Sequence, residues 1–180
     1  MRPHLVVMQA FGPYPHRQVI DFSELAGRSF FLIHGPTGAG KTTILDAMTF
    51  ALFGVTSGDE RRADDMRSHH ASIDTPTTVE FEFSIGAERY LIHRSPEQQR
   101  PKQRGTGFTV QSKEATLWRL PGMATSVPDS DGPADQEEPG GGPPGQTDPG
   151  EATPGGPSPG QTVLATGWSR VTEVSKYLTA

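Results

Sequence analysis

The chain has 180 residues, enough for one domain of ordinary size, and a formal net charge of −5. It contains no cysteine, which excludes disulfide bonds and thiolate metal sites within this chain. Only 33% of its residues are hydrophobic, and its 21 glycines and 17 prolines make one continuous core difficult to build. No apolar run is long enough for a signal peptide or a membrane span, so we expect a soluble, cytoplasmic protein.

The shortage of hydrophobic residues is confined to one stretch. Residues 120–168 are rich in Pro and Gly and contain seven acidic residues but no Lys, Arg or His, so the remainder of the chain has a net charge of +2. A segment of this composition buries too little apolar surface to offset the entropy lost on ordering. We therefore predict a disordered acidic insertion at 121–166, between an N-terminal lobe at 1–120 and the start of a helix at 167–180.

The first third of the chain predicts a hairpin, a buried strand and a helix. Residues 5–11 and 19–22 are extended apolar runs separated by a proline-rich turn, which is typical of a hairpin. Residues 29–34 form a continuous apolar run that stops at Gly35 and predict a buried strand. Residues 41–53 predict a mostly buried helix, because apolar residues recur at helical spacing, and Gly54 is placed to end it.

The later elements are predicted from alternation and spacing. Residues 77–85 alternate between apolar and polar side chains, which predicts a half-buried strand followed by a second strand at 89–94. Residues 108–112 and 116–120 predict another hairpin. Val171, Val174 and Leu178 lie at helical spacing and predict a helix over 172–180. Because this pattern has no helix-ending signal, we expect a truncated chain.

One motif carries specific chemistry. The sequence Gly35-Pro36-Thr37-Gly38-Ala39-Gly40-Lys41-Thr42 matches the phosphate-loop pattern G-x-x-x-x-G-K-[ST] at every fixed position. Its glycines allow several backbone N–H groups to approach a phosphate together. The Lys41 ammonium suits the β- and γ-phosphates, and the Thr42 hydroxyl suits Mg²⁺. The motif follows a predicted strand and opens a predicted helix, as an ATP-binding loop requires.

Several nearby residues have more than one interpretation. Thr43 either contacts the α-phosphate or caps the helix, and Asp46 is read as a solvent-facing or internally paired acid. The basic stretch at 94–104 is either a solvated loop or a contact for nucleic-acid or nucleotide phosphate. A second basic group at residues 61–67 is diluted by acids and predicts a solvated face. His69 and His70 lack the partners that a metal site needs.

The sequence lacks other parts of an ATP-hydrolysing site. After Lys41 no apolar run ends in Asp or Asp-Glu, the arrangement that holds Mg²⁺ at the end of a buried strand. No Ser-Gly-Gly signature of ABC-type ATPases is present either. No catalytic residue is therefore assigned, and we expect this chain to bind nucleotide but to hydrolyse it poorly on its own.

The motif and its surroundings resemble the N-terminal ATPase segment of the SbcC family, which is related to the SMC proteins. The resemblance covers about 1–120 and resumes at 167–180. It rests on residues 9–14 (QAFGPY), 19–22 (VIDF), 34–47 (HGPTGAGKTTILDA), 78–83 (TVEFEF) and 90–97 (YLIHRSPE).

The resemblance implies a fold, a partner and a substrate. SbcC-like chains fold an ABC-type head from their two ends, which a long coiled coil separates, and two heads enclose two ATP molecules. With the SbcD nuclease they cut DNA ends and hairpins in double-strand break repair. Carried over by motif, residues Gly35, Gly38, Gly40, Lys41, Thr42 and Thr43 would bind ATP and Mg²⁺. The coiled coil, the cysteine hook and the Mg²⁺-binding acid of the family are absent from this chain.

The sequence thus predicts an α/β fold of the P-loop NTPase class: the N-terminal lobe of an ABC-type head, with a mixed sheet that is rich in antiparallel strands. The leading hypothesis is the ATP-binding segment of an SbcC-like DNA-repair ATPase whose partners are an SbcD-like nuclease, a second head and double-stranded DNA. The alternatives are a truncated or regulatory fragment that binds nucleotide weakly without hydrolysis, and another P-loop enzyme such as a transporter ATPase or a small-molecule kinase.

Overall fold

A computed structural model describes residues 1–25, 28, 30–57, 63–102, 104–121 and 161–179. In these ranges the chain forms eight β-strands, two α-helices and two short 3₁₀ turns at Ser23–Leu25 and Ala63–Met66. The strands are β1 (Arg2–Gln9), β2 (Gln18–Asp21), β3 (Thr78–Ile85), β4 (Glu88–Ser95), β5 (Gln98–Pro101), β6 (Phe108–Gln111), β7 (Glu114–Leu120) and β8 (Thr162–Thr166). The helices are α1 (Lys41–Phe53) and α2 (Trp168–Thr179). Neither helix has the length and hydrophobicity that a membrane-spanning helix requires.

Six strands form one sheet in the order β2-β1-β3-β4-β7-β8, and every pairing among the described strands is antiparallel. Strands β5 and β6 form a separate two-stranded ribbon. The predicted hairpin at the N-terminus is confirmed as β1 and β2. An α/β fold whose sheet is rich in antiparallel strands is therefore confirmed, while the parallel pairs that a mixed sheet also contains do not occur among the described strands.

The core lies between one face of the sheet and α1. The alternation predicted for residues 77–85 is confirmed, since Val79, Phe81 and Phe83 of β3 are completely buried. Cross-strand pairing extends this face sideways, because Phe81 lies opposite Val6 of β1 and Ile92 of β4. Buried apolar side chains of α1 then cover the face, namely Ala47, Phe50, Ala51 and Leu52.

Helix α1 matches its sequence prediction at both ends. Gly40 precedes it with φ 82°, and Gly54 follows it with φ 73°, a left-handed conformation that glycine adopts without steric cost. The amide of Gly54 donates to the carbonyl of Phe50 at 2.8 Å, which closes the last turn. Helix α1 therefore starts directly after the glycine-rich loop, as the motif requires.

The strand predicted at 29–34 is wrong for the described residues 30–34, which form no strand. Phe30 is 91% exposed and Leu32 is 85% exposed. A continuous apolar run is typical of a strand that is covered on both faces and paired with neighbours. The described part of the chain supplies no neighbouring strand here, so hydrophobicity alone does not bury the run.

Three other predictions need correction. Residues 108–112 and 116–120 do form strands, but not one hairpin, because β6 pairs with β5 and β7 pairs with β4. The predicted insertion extends too far, since Thr162–Thr166 form β8 against β7. Its residues 122–160 lie outside the described part of the chain. The predicted C-terminal helix begins four residues earlier than expected, at Trp168.

Candidate functional site

The glycine-rich loop at residues 35–42 connects the exposed run 30–34 to the first turn of α1. Gly38 and Gly40 have φ values of 86° and 82°, which L side chains rarely adopt. The amide of Ala39 donates to the carbonyl of Pro36 at 3.2 Å and tightens the loop into a turn. Two of the three motif glycines are thus required by the backbone itself.

Lys41 is folded over this loop. Its Nζ donates to the carbonyl oxygens of Gly35 and Pro36, at 2.8 and 2.7 Å. Within the described residues it forms no ion pair, as the two salt bridges there join other side chains. The ammonium therefore lies beside the backbone carbonyls of the loop and pairs with no carboxylate in the part of the chain that the structure describes.

The N-terminus of α1 faces the same loop. No side chain caps it, which leaves its first amides available to a ligand. Thr42, in the first turn, is exposed to solvent, as are Thr37 and Ala39 of the loop. Uncapped amides and the positive end of the helix dipole favour an anion at this position.

A tight turn at residues 11–14 packs on the loop from outside. Phe11 and Tyr14 exchange two backbone hydrogen bonds, of 3.0 and 3.1 Å, and the Tyr14 hydroxyl donates to the carbonyl of Ala39 at 3.0 Å. A Cβ atom added to Gly40 would come within 2.9 Å of Pro13 Cγ and closer still to the Tyr14 hydroxyl. A Cβ atom on Gly12 would lie 2.6 Å from Thr43 Cγ2. These contacts tie the turn to the end of the loop and to the first turn of α1.

Comparison with known families shows what kind of domain carries this loop. A family model described as an AAA domain matches residues 6–118, which is more than half of the chain.

The chain belongs to the AAA domain family.

Relatives of this AAA domain are named as the SbcC component of the nuclease SbcCD. The protein of Vibrio cholerae serotype O1 is 50% identical over 120 residues, which is 67% of this chain and 12% of the relative. That of Lactococcus lactis subsp. lactis is 50% identical over 117 residues, 65% of this chain and 11% of the relative. That of Staphylococcus aureus strain JH9 is 45% identical over 94 residues, which is 52% of this chain and 9% of the relative.

The resemblance to SbcC that the sequence motifs indicated is confirmed by these relatives. The matched part of this chain spans only 9% to 12% of the length of the curated relatives.

Two polar residues of α1 prove to be internal to the AAA domain. Thr43 is 3% exposed and its side chain faces Gly12. Asp46 is 6% exposed and accepts hydrogen bonds from the amide of Ser57, at 3.0 Å, and from the Ser57 hydroxyl. Its interpretation as an internally paired acid is confirmed: it fixes the segment that follows α1.

The sequence allowed the basic stretch at 94–104 to be a solvated loop, but Arg94 does not lie in one. It is completely buried on the core face of β4, where its Nε donates to the carbonyl of Ala51 at 2.8 Å and one terminal nitrogen donates to that of Leu52 at 3.2 Å. Its guanidinium lies 4.5 Å from the centre of the Trp168 ring. Burial lowers the pKa of Arg94 to about 10. Arg94 thus joins the C-terminal end of α1 to α2.

The remaining cations of that stretch lie on or beside the β5–β6 ribbon. Arg100, Lys102 and Arg104 are exposed on the β5–β6 ribbon and its turn, and Arg100 donates to the side chain of Gln111 at 3.0 Å. In the second basic group, Arg67 donates to the carbonyls of Ser72 and Thr75, which stabilises the segment before β3. Arg61 and Arg62 lie outside the described residues.

No metal site is formed in the described part of the chain. No group of three His, Asp or Glu side chains there is arranged to hold a metal ion. His69 and His70 are exposed, and neither belongs to such a group among the residues that the structure describes. Nor does any carboxylate among the described residues form an ion pair with Lys41.

The turn at residues 11–14 packs against the candidate site, and the motif alone did not identify it. Its residues lie more than 20 positions before the loop, and no spacing rule connects them to it. The only signal in the sequence was the resemblance, in which Gly12 and Tyr14 belong to the QAFGPY segment. Tertiary packing brings the turn to the loop.

Proposed function

We propose that this chain is the ATP-binding N-terminal segment of an SbcC-like ATPase. In the complete head, it acts with an SbcD-like nuclease on DNA ends and hairpins in double-strand break repair. The single observation that carries the proposal is the glycine-rich loop at the N-terminus of α1, in a chain whose relatives are SbcC proteins.

The residues of the loop fit the phosphates of a nucleoside triphosphate. Gly38 and Gly40 have left-handed backbone conformations and carry no side chains, so the backbone of the loop can approach a phosphate closely. Lys41 already bonds the loop carbonyls, and the same flexible ammonium suits the β- and γ-phosphates. Residues 35–42 together would surround the phosphates, whereas the side chain of Thr43, the remaining predicted contact, is buried against Gly12.

The exposed Thr42 hydroxyl fits one position in the coordination shell of Mg²⁺, whose ligands are hard oxygens. When bound, Mg²⁺ would neutralise charge on the β- and γ-phosphates. Thr42 alone is one ligand, and an acid from the rest of a head would supply another.

The exposed apolar run supports the view that the chain is one part of a head. Phe30 and Leu32 point into solvent beside an open groove of about 600 Å³ that also includes Ile20, Phe22 and Ile44. Apolar surface of this kind is typical of a site that another segment covers. We propose that the other end of a full-length SbcC-like protein pairs with this run.

A fragment that binds nucleotide without hydrolysing it is the second candidate. The specific observation in its favour is that no apolar run after Lys41 ends in Asp or Asp-Glu, the arrangement that holds Mg²⁺ in a hydrolytic site. Nothing in the described geometry favours a transporter ATPase or a small-molecule kinase over the SbcC-like assignment.

Binding of a fluorescent ATP analogue with Mg²⁺ tests the proposal. We expect saturable binding that Lys41→Ala abolishes. Lys176→Ala is the matched control, because Lys176 carries the same charge but lies exposed on α2. A Lys102→Ala variant asks whether the β5–β6 ribbon contributes to binding. Equal binding by the parent and by Lys41→Ala would refute the assignment.

A further inference from the structure

The hydroxyl of Tyr14 makes one specific polar contact, and it is with the backbone of the glycine-rich loop. It donates to the carbonyl of Ala39 at 3.0 Å. The turn that carries this side chain is fixed, because Tyr14 and Phe11 close it with two backbone hydrogen bonds and the amide of Gly12 donates to the carbonyl of Met66 at 2.7 Å. The hydroxyl therefore reaches the loop from a fixed support.

The hydrogen bond that the Ala39 carbonyl accepts from Tyr14 sets the plane of the Ala39–Gly40 peptide. The peptide between Ala39 and Gly40 is trans, since no cis peptide occurs among the described residues. In a trans peptide the C=O and N–H groups point in opposite directions. A carbonyl of Ala39 that is held toward Tyr14 consequently directs the N–H of Gly40 to the other side, away from the tyrosine.

The direction of this amide matters because Gly40 immediately precedes α1. The amides at the start of α1 are uncapped by any side chain, and the Gly40 amide joins them at the end of the loop. Hydrogen-bond donors that are oriented before a ligand arrives lose less entropy on binding it. A peptide free to rotate would present its carbonyl, which repels an anion, for part of the time.

We propose that Tyr14 is a positioning residue for phosphate binding: its hydroxyl fixes the Ala39–Gly40 peptide so that the Gly40 amide faces the bound phosphate. The inference rests on the proposed nucleotide-binding function and adds a residue outside the motif to it. Tyr14 itself touches no nucleotide in this scheme and acts through the loop.

A purely structural role for the hydroxyl makes a different prediction. The bond lies at the surface, where a single hydrogen bond adds little to the stability of the fold, and the packing of the ring against the loop does not need the oxygen. Tyr14→Phe retains the ring and removes only the donor. Its effect should therefore fall on phosphate affinity and not on the melting transition.

The test compares Tyr14→Phe with Tyr90→Phe in the 180-residue chain. Tyr90 also donates its hydroxyl, to Glu88 at the hairpin of β3 and β4, so it controls for loss of one tyrosine oxygen. We expect the dissociation constants of Mg²⁺–ATP and of pyrophosphate to rise about fivefold in Tyr14→Phe, the effect of one net hydrogen bond. Tyr90→Phe should leave both dissociation constants unchanged. The melting curve of Tyr14→Phe without nucleotide should coincide with that of the parent chain. Unchanged affinities in Tyr14→Phe, or equal losses in both variants, would overturn the proposal.

A second measurement keeps the inference separate from nucleotide binding. The Gly40 amide resonance of ¹⁵N-labelled protein without nucleotide should shift or broaden in Tyr14→Phe but not in Tyr90→Phe. If the parent chain binds no nucleotide, the proposed function fails while this resonance still reports the position of the peptide. A Gly40 resonance that does not respond to Tyr14→Phe would refute the positioning role in either case.

Discussion

Arg94 shows how a single side chain can hold two helices of this domain together. It occupies a position on the core face of the sheet, beside Val79 of β3 and Ala115 of β7, where an apolar residue is expected. Its guanidinium instead donates to the last carbonyls of α1 and lies against Trp168 of α2. Helix ends leave carbonyls that need such donors.

Replacing Arg94 should therefore weaken the fold more than replacing an exposed arginine. Arg94→Ala leaves buried carbonyls unpaired and opens a cavity, and we expect the free energy of unfolding to fall by about 3 kcal/mol. Arg94→Met fills part of the space without donating, so a loss of about half that is expected. Urea unfolding followed by circular dichroism measures both, with Arg100→Ala as the surface control. Equal midpoints for Arg94→Ala and Arg100→Ala would contradict this role of Arg94.

His93 gives the fold a pH dependence. Burial lowers the pKa of the His93 imidazole below its ordinary value, although Glu80 and Glu114 oppose the shift. The unfolded chain then takes up a proton near pH 6.5 that the folded chain resists, so stability is present above that pH and is lost as the pH falls toward the lowered pKa. The pKa of His4 is shifted in the same direction, chiefly through burial.

We expect the free energy of unfolding to decrease between about pH 7.5 and about pH 5.5, and to decrease less in His93→Gln. Denaturant titrations at several pH values provide the measurement. The prediction is wrong if the two proteins show the same pH dependence over this range.

At the scale of elements, the outcome of the sequence predictions depended on whether a segment finds its partners within the chain. Helix α1 and strand β3 were predicted correctly, because their periodic apolar residues meet each other across the core. The strand predicted at 29–34 is wrong for residues 30–34, because a strand of this hydrophobicity requires neighbouring strands that the described residues lack. The pairing of β6 with β5 depends on tertiary contacts that alternation alone does not reveal.

The same reasoning applies to the candidate site. Residues 35–42 lie at the start of a helix, as the motif predicts, because local backbone geometry and glycine content define that structure. Tyr14 and Arg94 could not be assigned from the motif, since each acts through a contact between residues more than 20 positions apart in the sequence.

The exposed run itself can be tested by substitution. Phe30→Ser combined with Leu32→Ser should change the free energy of unfolding by less than about 0.5 kcal/mol, since both side chains are in solvent. It should also reduce self-association, measured by light scattering, because the apolar surface is removed. Phe81→Ser is the matched control and should unfold the chain, as Phe81 is completely buried. A large loss of stability in the double variant would show that the run is buried after all.

At the scale of the whole molecule, apolar surface is left uncovered at one edge of the fold. The sheet ends on β2, whose Val19 is half exposed, and the run at Phe30 and Leu32 adds further uncovered apolar surface. The matched segment is 11% to 12% of the length of the Vibrio and Lactococcus relatives. Apolar surface that stays exposed contributes no hydrophobic stabilisation to the fold.

We accordingly expect the isolated chain to be marginally stable. Thermal unfolding should begin below the roughly 45–65 °C range of ordinary mesophilic domains. Addition of Mg²⁺–ATP should shift it upward, because a nucleotide bound at the proposed site would stabilise only the folded state. Differential scanning calorimetry with and without nucleotide tests both statements. A sharp, cooperative transition at high temperature in the absence of nucleotide would contradict the expectation.

The measurement that tests nucleotide binding by residues 35–42 most directly is a titration of the ¹⁵N-labelled chain with Mg²⁺–ATP, followed through its amide resonances. We predict saturable shifts that are largest for Gly38, Gly40 and Lys41, and that disappear in Lys41→Ala while persisting in Lys176→Ala. Shifts confined to the β5–β6 ribbon, or no shifts in folded protein, would contradict the assignment of this loop as an ATP-binding site.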